Sequence, residues 1–323
     1  MQNRAESGLP DRSEKEMEMK HICTDLLEIH YEETGSREGI PVILLHGFPY
    51  DIHAFDEAVD ILTDRAEKSG KQYRILCPYL RGYGPNRFLS DKTMRSGEQA
   101  ALAADLLAFM DALKIPMAIL GGFDWGGRAA CIVSALRPER VIGLVTCGAA
   151  YNIQDPLAFR NASEPEREAR SWYVYYFHTA RGRQALTGGA KALSRYLWKT
   201  WSPDWEFSEE TFLRSAKAFE NPDFAAVVEH SYCHRTGEVQ GDPRYEDIER
   251  KLCAAPQITV PSVILLGGTD GVTRPEYSAD KDRMFTCLVK KKILPGIGHN
   301  VPQEAPAAFA DAIAELADYP ADE

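Results

Sequence analysis

Short apolar runs alternate with longer stretches of helical periodicity along most of this chain of 323 residues. LLEIHYEE at 26–33 alternates apolar and polar positions, as a strand with one wet face does. PVILLHG at 41–47 and YRILCPY at 73–79 are continuous apolar runs, the pattern of strands buried on both faces. SGEQAALAADLLAFMDALKI at 96–115 spaces its apolar residues three and four apart, which predicts a helix. MAILGG at 117–122 predicts a strand, with a helix opening at Gly126. VIGLVTCG at 141–148, PSVILLGG at 261–268 and CLVKKKILPG at 287–296 repeat the strand pattern, and PAAFADAIAELADY at 306–319 predicts a last helix. Buried strands separated by helices imply an α/β fold with a mostly parallel central sheet flanked by helices.

The pattern changes between residues 151 and 250. SWYVYYF, YLWKTWSPDW and HSYCHR are rich in aromatics and charges and read as helices without buried strands. Such an insertion at the carboxyl edge of a parallel sheet would roof the crevice where these sheets bind ligands. The expected organisation is a core of 21–150 and 251–323, a helical cap at 151–250 and a frayed polar tail at 1–20. The tail, MQNRAESGLPDRSEKEMEMK, has no apolar segment of the kind a secretory signal carries.

Composition narrows the function. A hydrophobic fraction of 44% allows a large core, and a net charge of −11 argues against a surface for nucleic acid. No run of 18 apolar residues is present, so no membrane partner is expected. Cys23, Cys77, Cys131, Cys147, Cys233, Cys253 and Cys287 make an odd set without a CxxC pair, which fits a reducing cytoplasm better than a disulfide framework. His230, Cys233 and His234 have helical spacing that could mimic a metal site, but no fourth ligand is evident; neither metal nor cofactor is expected. The expected partners are a hydrophobic small-molecule substrate and water, with a homodimer left open.

The chemistry concentrates in GGFDWGG at 121–127. A strand, then Gly122-Phe123-Asp124-Trp125-Gly126, then a helix has the form of a nucleophile elbow, in which glycines flank a strained central residue. The occupant here is an aspartate, and no serine in the chain lies in G-x-S-x-G. A carboxylate is ionised at neutral pH and needs no base to attack an sp³ carbon carrying a strained or good leaving group. The alkyl ester so formed must then be hydrolysed, which calls for a histidine base, a second carboxylate and an oxyanion hole. His299, in GIGHN after the last strand, supplies the base. Asp270, in GTDG, supplies the acid, with Asp155 as a rival on the loop after VIGLVTCG. In HGFP at 46–49 the backbone N–H of Phe48, together with that of Trp125, would bind the oxyanion. The plainer readings are that Asp124 caps its helix and that Asp270 is a turn residue.

HGFP, RGYG at 81–84, GGFDWGG and GIGHN, in this order and at these separations, resemble the Asp-nucleophile branch of the α/β-hydrolases, namely soluble epoxide hydrolases and haloalkane dehalogenases. The resemblance covers nearly all of the chain after about residue 25. It implies the α/β-hydrolase fold with the cap inserted after strand 6, and no cofactor. Two departures stand out: Phe123 where the family usually has histidine before the nucleophile, and Tyr79 where an aspartate is common. Epoxide hydrolases donate hydrogen bonds to the epoxide oxygen from two cap tyrosines. By position these correspond to Tyr173, in YVYYF, and Tyr232, in SYC, though most tyrosines are packing residues. His46, Pro49, Trp172 and Tyr176 are expected to line the substrate pocket. In haloalkane dehalogenases two N–H donors hold the halide. Trp125 could be one and Trp172, Trp198, Trp201 or Trp205 the other, because Phe48 has no side-chain donor. Fluoroacetate dehalogenases carry an arginine in the slot that Trp125 fills, which argues against a small acid substrate, although Arg128 matches a second arginine of that group. Arg81 and Arg128 are read as structural ion-pair formers.

The expectation is an epoxide hydrolase that opens its substrate to a vicinal diol. The alternatives are a haloalkane dehalogenase with the same triad and a binding protein whose triad is idle.

Overall fold

A computed structural model of the chain describes residues 19–155 and 161–320. Residues 1–18 of the expected tail, and 156–160 within the expected cap, lie outside the described residues. Lys20, the last residue of the expected tail, already belongs to a strand.

In chain order the first elements are β1 (Lys20–Cys23), β2 (Leu27–Gly35), β3 (Ile40–Leu45), α1 (Asp56–Ser69), β4 (Tyr73–Pro78) and β5 (Arg87–Phe88). α2 (Gln99–Ala112), β6 (Ala118–Phe123), α3 (Asp124–Leu136) and β7 (Val141–Cys147) follow. The next stretch is helical: α4 (Pro165–Arg170), α5 (Trp172–Tyr176), α6 (Ala180–Gly188), α7 (Ala190–Trp201), α8 (Glu209–Ala216), α9 (Phe224–Thr236) and α10 (Glu246–Leu252). β8 (Ser262–Gly267), β9 (Leu288–Leu294), α11 (Val301–Glu304) and α12 (Pro306–Ala317) complete the chain. The helical stretch follows β7, which is the sixth strand when the two-residue β5 is left out of the count, as expected. β5, only two residues long, is marked by no apolar run. α3 begins at Asp124, two residues before the expected Gly126.

The strands form one sheet in the order β1-β2-β4-β3-β6-β7-β8-β9, with β5 on β2. β2 runs antiparallel to β1, β4 and β5, and every pairing from β4 through β3 to β9 is parallel. The burial follows the composition. β6 and β8 are buried at every position, whereas the edge strand β9, with Lys290, Lys291 and Lys292, is largely open. Lysines on an edge strand discourage pairing with another chain. α1 packs on α12 and α2 on α3 beside the sheet.

The chain leaves β3 toward β4 on one side and returns as β6 on the other. At such a reversal the loops after two adjacent parallel strands diverge and open a crevice at their carboxyl ends. The loop after β3 carries Phe48 and the turn after β6 carries Asp124. The helices between β7 and β8 contribute Tyr173, Trp198, Trp201 and Tyr232 to the same continuous buried cluster as the sheet.

Arg81 ties this arrangement together. Its Nε and Nη2 fork onto Asp105 of α2 at 2.6 and 2.7 Å, while Nη1 reaches the Ser96 carbonyl and Nη2 the Tyr245 hydroxyl. This is the ion-pair role expected of it. Arg81→Met leaves the Asp105 carboxylate without its partner and is expected to cost about 3–5 kcal/mol, read as a lower denaturant midpoint in urea unfolding.

Candidate active site

Phe123 ends β6 in extended conformation, and Asp124 then turns at φ 50° into α3. A left-handed backbone at a non-glycine residue costs on the order of 1–3 kcal/mol, and the surroundings must hold it. They do so by close approach. A Cβ at Gly126 would lie 2.0 Å from the Leu45 carbonyl oxygen at the end of β3, and one at Gly122 would lie 2.6 Å from the Gly126 backbone. Only glycines let the two strand ends and the helix start come this near. The same crowding aims the Asp124 side chain at the loop after β3, where the Phe48 N–H donates to its Oδ1 at 2.8 Å.

His299 follows β9 and faces two carboxylates. Its Nδ1 is 2.8 Å from Asp270 Oδ2, and its Nε2 is 3.8 Å from Asp124 Oδ2. The first is a hydrogen bond; the second is too long for one. Asp270 has no exposed side-chain surface, and its Oδ1 accepts from the N–H groups of Val272 and Thr273 at 2.8 and 2.7 Å, which fixes the carboxylate plane. Asp155 is exposed, and Asp270 is the carboxylate that meets His299. Nothing in the strand pattern had marked the support behind His299. The Ser202 hydroxyl accepts from the His299 N–H at 3.0 Å and donates to Glu304, which also receives the Gly298 and Asn300 N–H groups. GHN followed by a glutamate at the end of the next short helix is the one sequence signal that could have pointed there.

Aromatic rings from the helical segment close over these groups. Tyr232 of α9 lies 5.4 Å from Phe48 and 5.8 Å from Trp125, centroid to centroid. Tyr173 of α5 meets Tyr232 edge-on at 5.5 Å, and Trp201 of α7 lies 5.2 Å from His299. Both tyrosines are buried, and neither hydroxyl has a hydrogen-bond partner among the described residues. The Trp125 indole N–H is buried without a partner as well.

Some expected pocket residues stand elsewhere. His46 has both ring nitrogens engaged by backbone, Nδ1 on the Gly47 carbonyl and Nε2 on the Leu80 N–H, so it is a strut between two loops. Burial pushes it down to about 4, which keeps it neutral. Trp172 is 36% exposed and packs on Tyr176 and Tyr196 at the outer side of α5. Tyr176 is only half-buried there. Phe177 and Trp201 take the places expected of these two. Pro49 contributes its carbonyl, which accepts from the Trp198 indole. Arg128 forms no ion pair among the described residues, contrary to its expected role. His230 is held by the Gly97 N–H and the Gln240 carbonyl. Among the described residues the donor cluster with metal-ligating chemistry is instead Glu98, His234 and Glu249, whose glutamates already accept from Ser96, Gln99 and backbone N–H groups.

The model of the alpha/beta hydrolase fold matches residues 40–306, which span β3 to the start of α12 and every group described above. The chain belongs to the alpha/beta hydrolase fold family. A solved structure of a Klebsiella pneumoniae protein proposed to be an epoxide hydrolase is 38% identical to this chain; the match covers 93% of this chain and 97% of that one, with a TM-score of 0.86. The soluble epoxide hydrolase of Corynebacterium sp. is 24% identical over 301 residues, 88% of this chain and 91% of that one. The match to the AB hydrolase superfamily protein YfhM of Bacillus subtilis, 29% identical, spans 48% of this chain and about half of that protein, 51%.

The electrostatics of this site are set by burial and partners in opposition. Burial works to raise Asp124, but His299, the Arg128 cation and the Phe48 N–H outweigh it and hold the carboxyl below its usual range. Burial likewise disfavours the His299 imidazolium, yet Asp270 and Asp124 on either side push it up to about 10. Because the folded value lies above the ordinary 6.5, the stabilisation is fully present below pH 6.5 and is lost as pH rises toward 10. The melting temperature of the wild type minus that of His299→Gln is therefore expected to be largest below pH 6.5 and to shrink steadily toward pH 10. A difference that grows over this interval would contradict the ion triad. All seven cysteines are free, and no helix among the described residues is long and apolar enough to cross a membrane.

Proposed function

We propose that this hydrolase opens epoxides to vicinal diols through an alkyl ester on Asp124. The observation that carries the reading is a strained, ionised carboxylate whose Oδ1 is held by the Phe48 N–H while Oδ2 faces His299, beneath two buried tyrosines whose hydroxyls have no hydrogen-bond partner among the described residues. The helices between β7 and β8 then act as a cap that keeps water from the alkylation step.

Asp124 Oδ2 attacks an epoxide carbon, a new C–O bond forms and the ring C–O bond breaks. The departing alkoxide is strongly basic and takes a proton from Tyr173 or Tyr232, whose burial raises both phenols and keeps them protonated. Alkylation removes the charge of Asp124, one of the two carboxylates that hold the imidazolium. His299 then gives up its proton to the tyrosinate and becomes a base at the moment the ester needs one. It activates water for attack on the Asp124 carboxyl carbon, and the oxyanion forms at Oδ1 against the Phe48 N–H, joined by the N–H of Trp125. Collapse releases the diol and leaves one oxygen from water in the carboxylate.

A second reading has its own observation. The unpartnered Trp125 indole N–H is a donor for a departing halide, and the Trp201 ring beside His299 could bring another, whereas the Trp198 indole is already taken by Pro49. The same triad would then serve a haloalkane dehalogenase.

His299→Gln separates these readings. Incubated with styrene oxide it is expected to gain the mass of one epoxide on the peptide holding Asp124, because alkylation survives and hydrolysis stalls. A gain only with 1-chlorohexane, with chloride released, would favour the dehalogenase, and no gain from either substrate would sink the ester mechanism. Tyr173→Phe and Tyr232→Phe are each expected to lower kcat with styrene oxide by about a hundredfold to a thousandfold, in a diol-release assay.

A further inference from the structure

A second set of donors converges where the helical segment meets the start of α2. Glu98 is the residue before α2, His234 stands in the last turn of α9, and Glu249 lies on α10. One ligand atom from each, the His234 ring nitrogen and two carboxylate oxygens, lie within 4.8 Å of one another. They line a cavity of about 20 Å³, room for a single water or metal ion, with Gln99, Gln154 and Arg235 also on its wall.

The hydrogen bonds around this cluster orient it without filling it. Glu98 Oε1 accepts from the Ser96 hydroxyl at 2.6 Å and the Asp242 N–H at 2.7 Å. Its Oε2 accepts no hydrogen bond, although the side chain is only 1% exposed. That oxygen faces His234 Nε2 at 3.7 Å, which is too long for a hydrogen bond. It is close to the roughly 3.4 Å that separates two ligands in a tetrahedral zinc shell. Glu249 accepts from the Ala100 N–H on one oxygen and the Gln99 amide on the other, which leaves a lone pair on each. His230, held by the Gly97 N–H and the Gln240 carbonyl, stacks on the His234 ring at 5.6 Å and steadies it. Gly241 keeps the gap open, since a Cβ there would lie 2.5 Å from Glu98 Oε2 and 2.8 Å from His234 Nε2. The charge is unbalanced as well. Two carboxylates on the cavity wall face one guanidinium, that of Arg235, whose N–H groups also reach the Gln154 oxygen once that amide is turned, as Arg128 does. A buried excess of negative charge is costly until a cation answers it.

We infer that Glu98, His234 and Glu249 bind one zinc ion, which clasps α9 and α10 to the start of α2. One imidazole and two carboxylates make a three-ligand zinc set with the fourth position left to water. Calcium and magnesium need fuller shells of oxygen than this cavity offers. The hydrogen bonds from Ser96, Gln99 and the backbone then act as outer supports that hold the ligand oxygens in place. Of His230, Cys233 and His234, whose spacing first raised a metal site, His234 alone lines the cavity. Tyr232 lies two residues before it, so the clasp fixes the helix that brings this ring against Phe48 and Trp125.

The test is a calorimetric titration of the untagged, chelator-stripped protein with zinc chloride. The wild type is expected to bind one ion per chain and to melt at a higher temperature with zinc than without it. His234→Ala, Glu249→Gln and Gly241→Ala are each expected to weaken binding at least about tenfold and to lose the rise in melting temperature. Gly241→Ala removes no donor and only fills the gap, so it keeps the test alive if loss of a ligand prevents folding, which a circular-dichroism melt without zinc reports. A wild type that binds no zinc, or a folded variant that binds it as tightly as the wild type, overturns the inference. Calcium binding tighter than zinc overturns the assignment to a site built on His234. None of these readouts involves turnover, so they stand or fall apart from the ester on Asp124.

Discussion

The approach of the β6–α3 turn to the end of β3 is the constraint on which the rest of the site depends. Leu45 at the end of β3 and Gly126 at the start of α3 come together so closely that a single methyl group between them would overlap the Leu45 carbonyl. Because the two strands are parallel neighbours, their carboxyl ends point the same way and their following loops share one crevice. Asp124 is forced into a left-handed backbone there, and its carboxylate lands on the N–H that the loop after β3 exposes at Phe48. Strain in one residue thereby places an anion and its hydrogen-bond donor with no flexible linker between them. Pre-organisation of this kind is what stabilisation of a developing oxyanion requires, since donors already in place need not reorganise as the charge appears.

The second layer of control is the balance of charge in a closed space. Asp124 and Asp270 flank His299, and burial strengthens every interaction among them. Each carboxylate contributes to keeping the imidazolium protonated, so the state of one group sets the state of the next. In the proposed reaction this coupling turns the loss of charge at Asp124 into the release of a proton at His299.

The sheet was legible because buried strands write themselves as continuous apolar runs. The runs at 41–47, 73–79, 117–122, 141–148 and 261–268 all became strands, with ends shifted by a residue or two. β5 escaped because two residues carry no period, and its pairing with β2 is a tertiary event. The elbow was equally legible, since glycines at fixed spacing around one polar residue encode a local geometry. The helical segment was readable as helices but not as surfaces. Trp172 and Trp201 look alike in the chain, yet one packs outward on Tyr196 and the other lies against His299. Which face of an amphipathic helix turns toward the site depends on how α5, α7 and α9 settle on the sheet.

By itself, the sequence determined the strand and helix alternation, the strained corner at Asp124 and the order of carboxylate, acid and histidine along the chain. These are local properties, carried by residue type and spacing. Tertiary structure alone decided that Asp270 rather than Asp155 meets His299, that His46 spends both nitrogens on backbone, and that Ser202 and Glu304 support the loop behind the histidine. It also decided that Arg81 finds a carboxylate while Arg128, with similar chemistry, meets Arg235 across one amide oxygen. Each of these joins residues far apart in the chain, and a hydrogen bond made at 3 Å depends on where the whole sheet and its helices place the two ends, which no local pattern records.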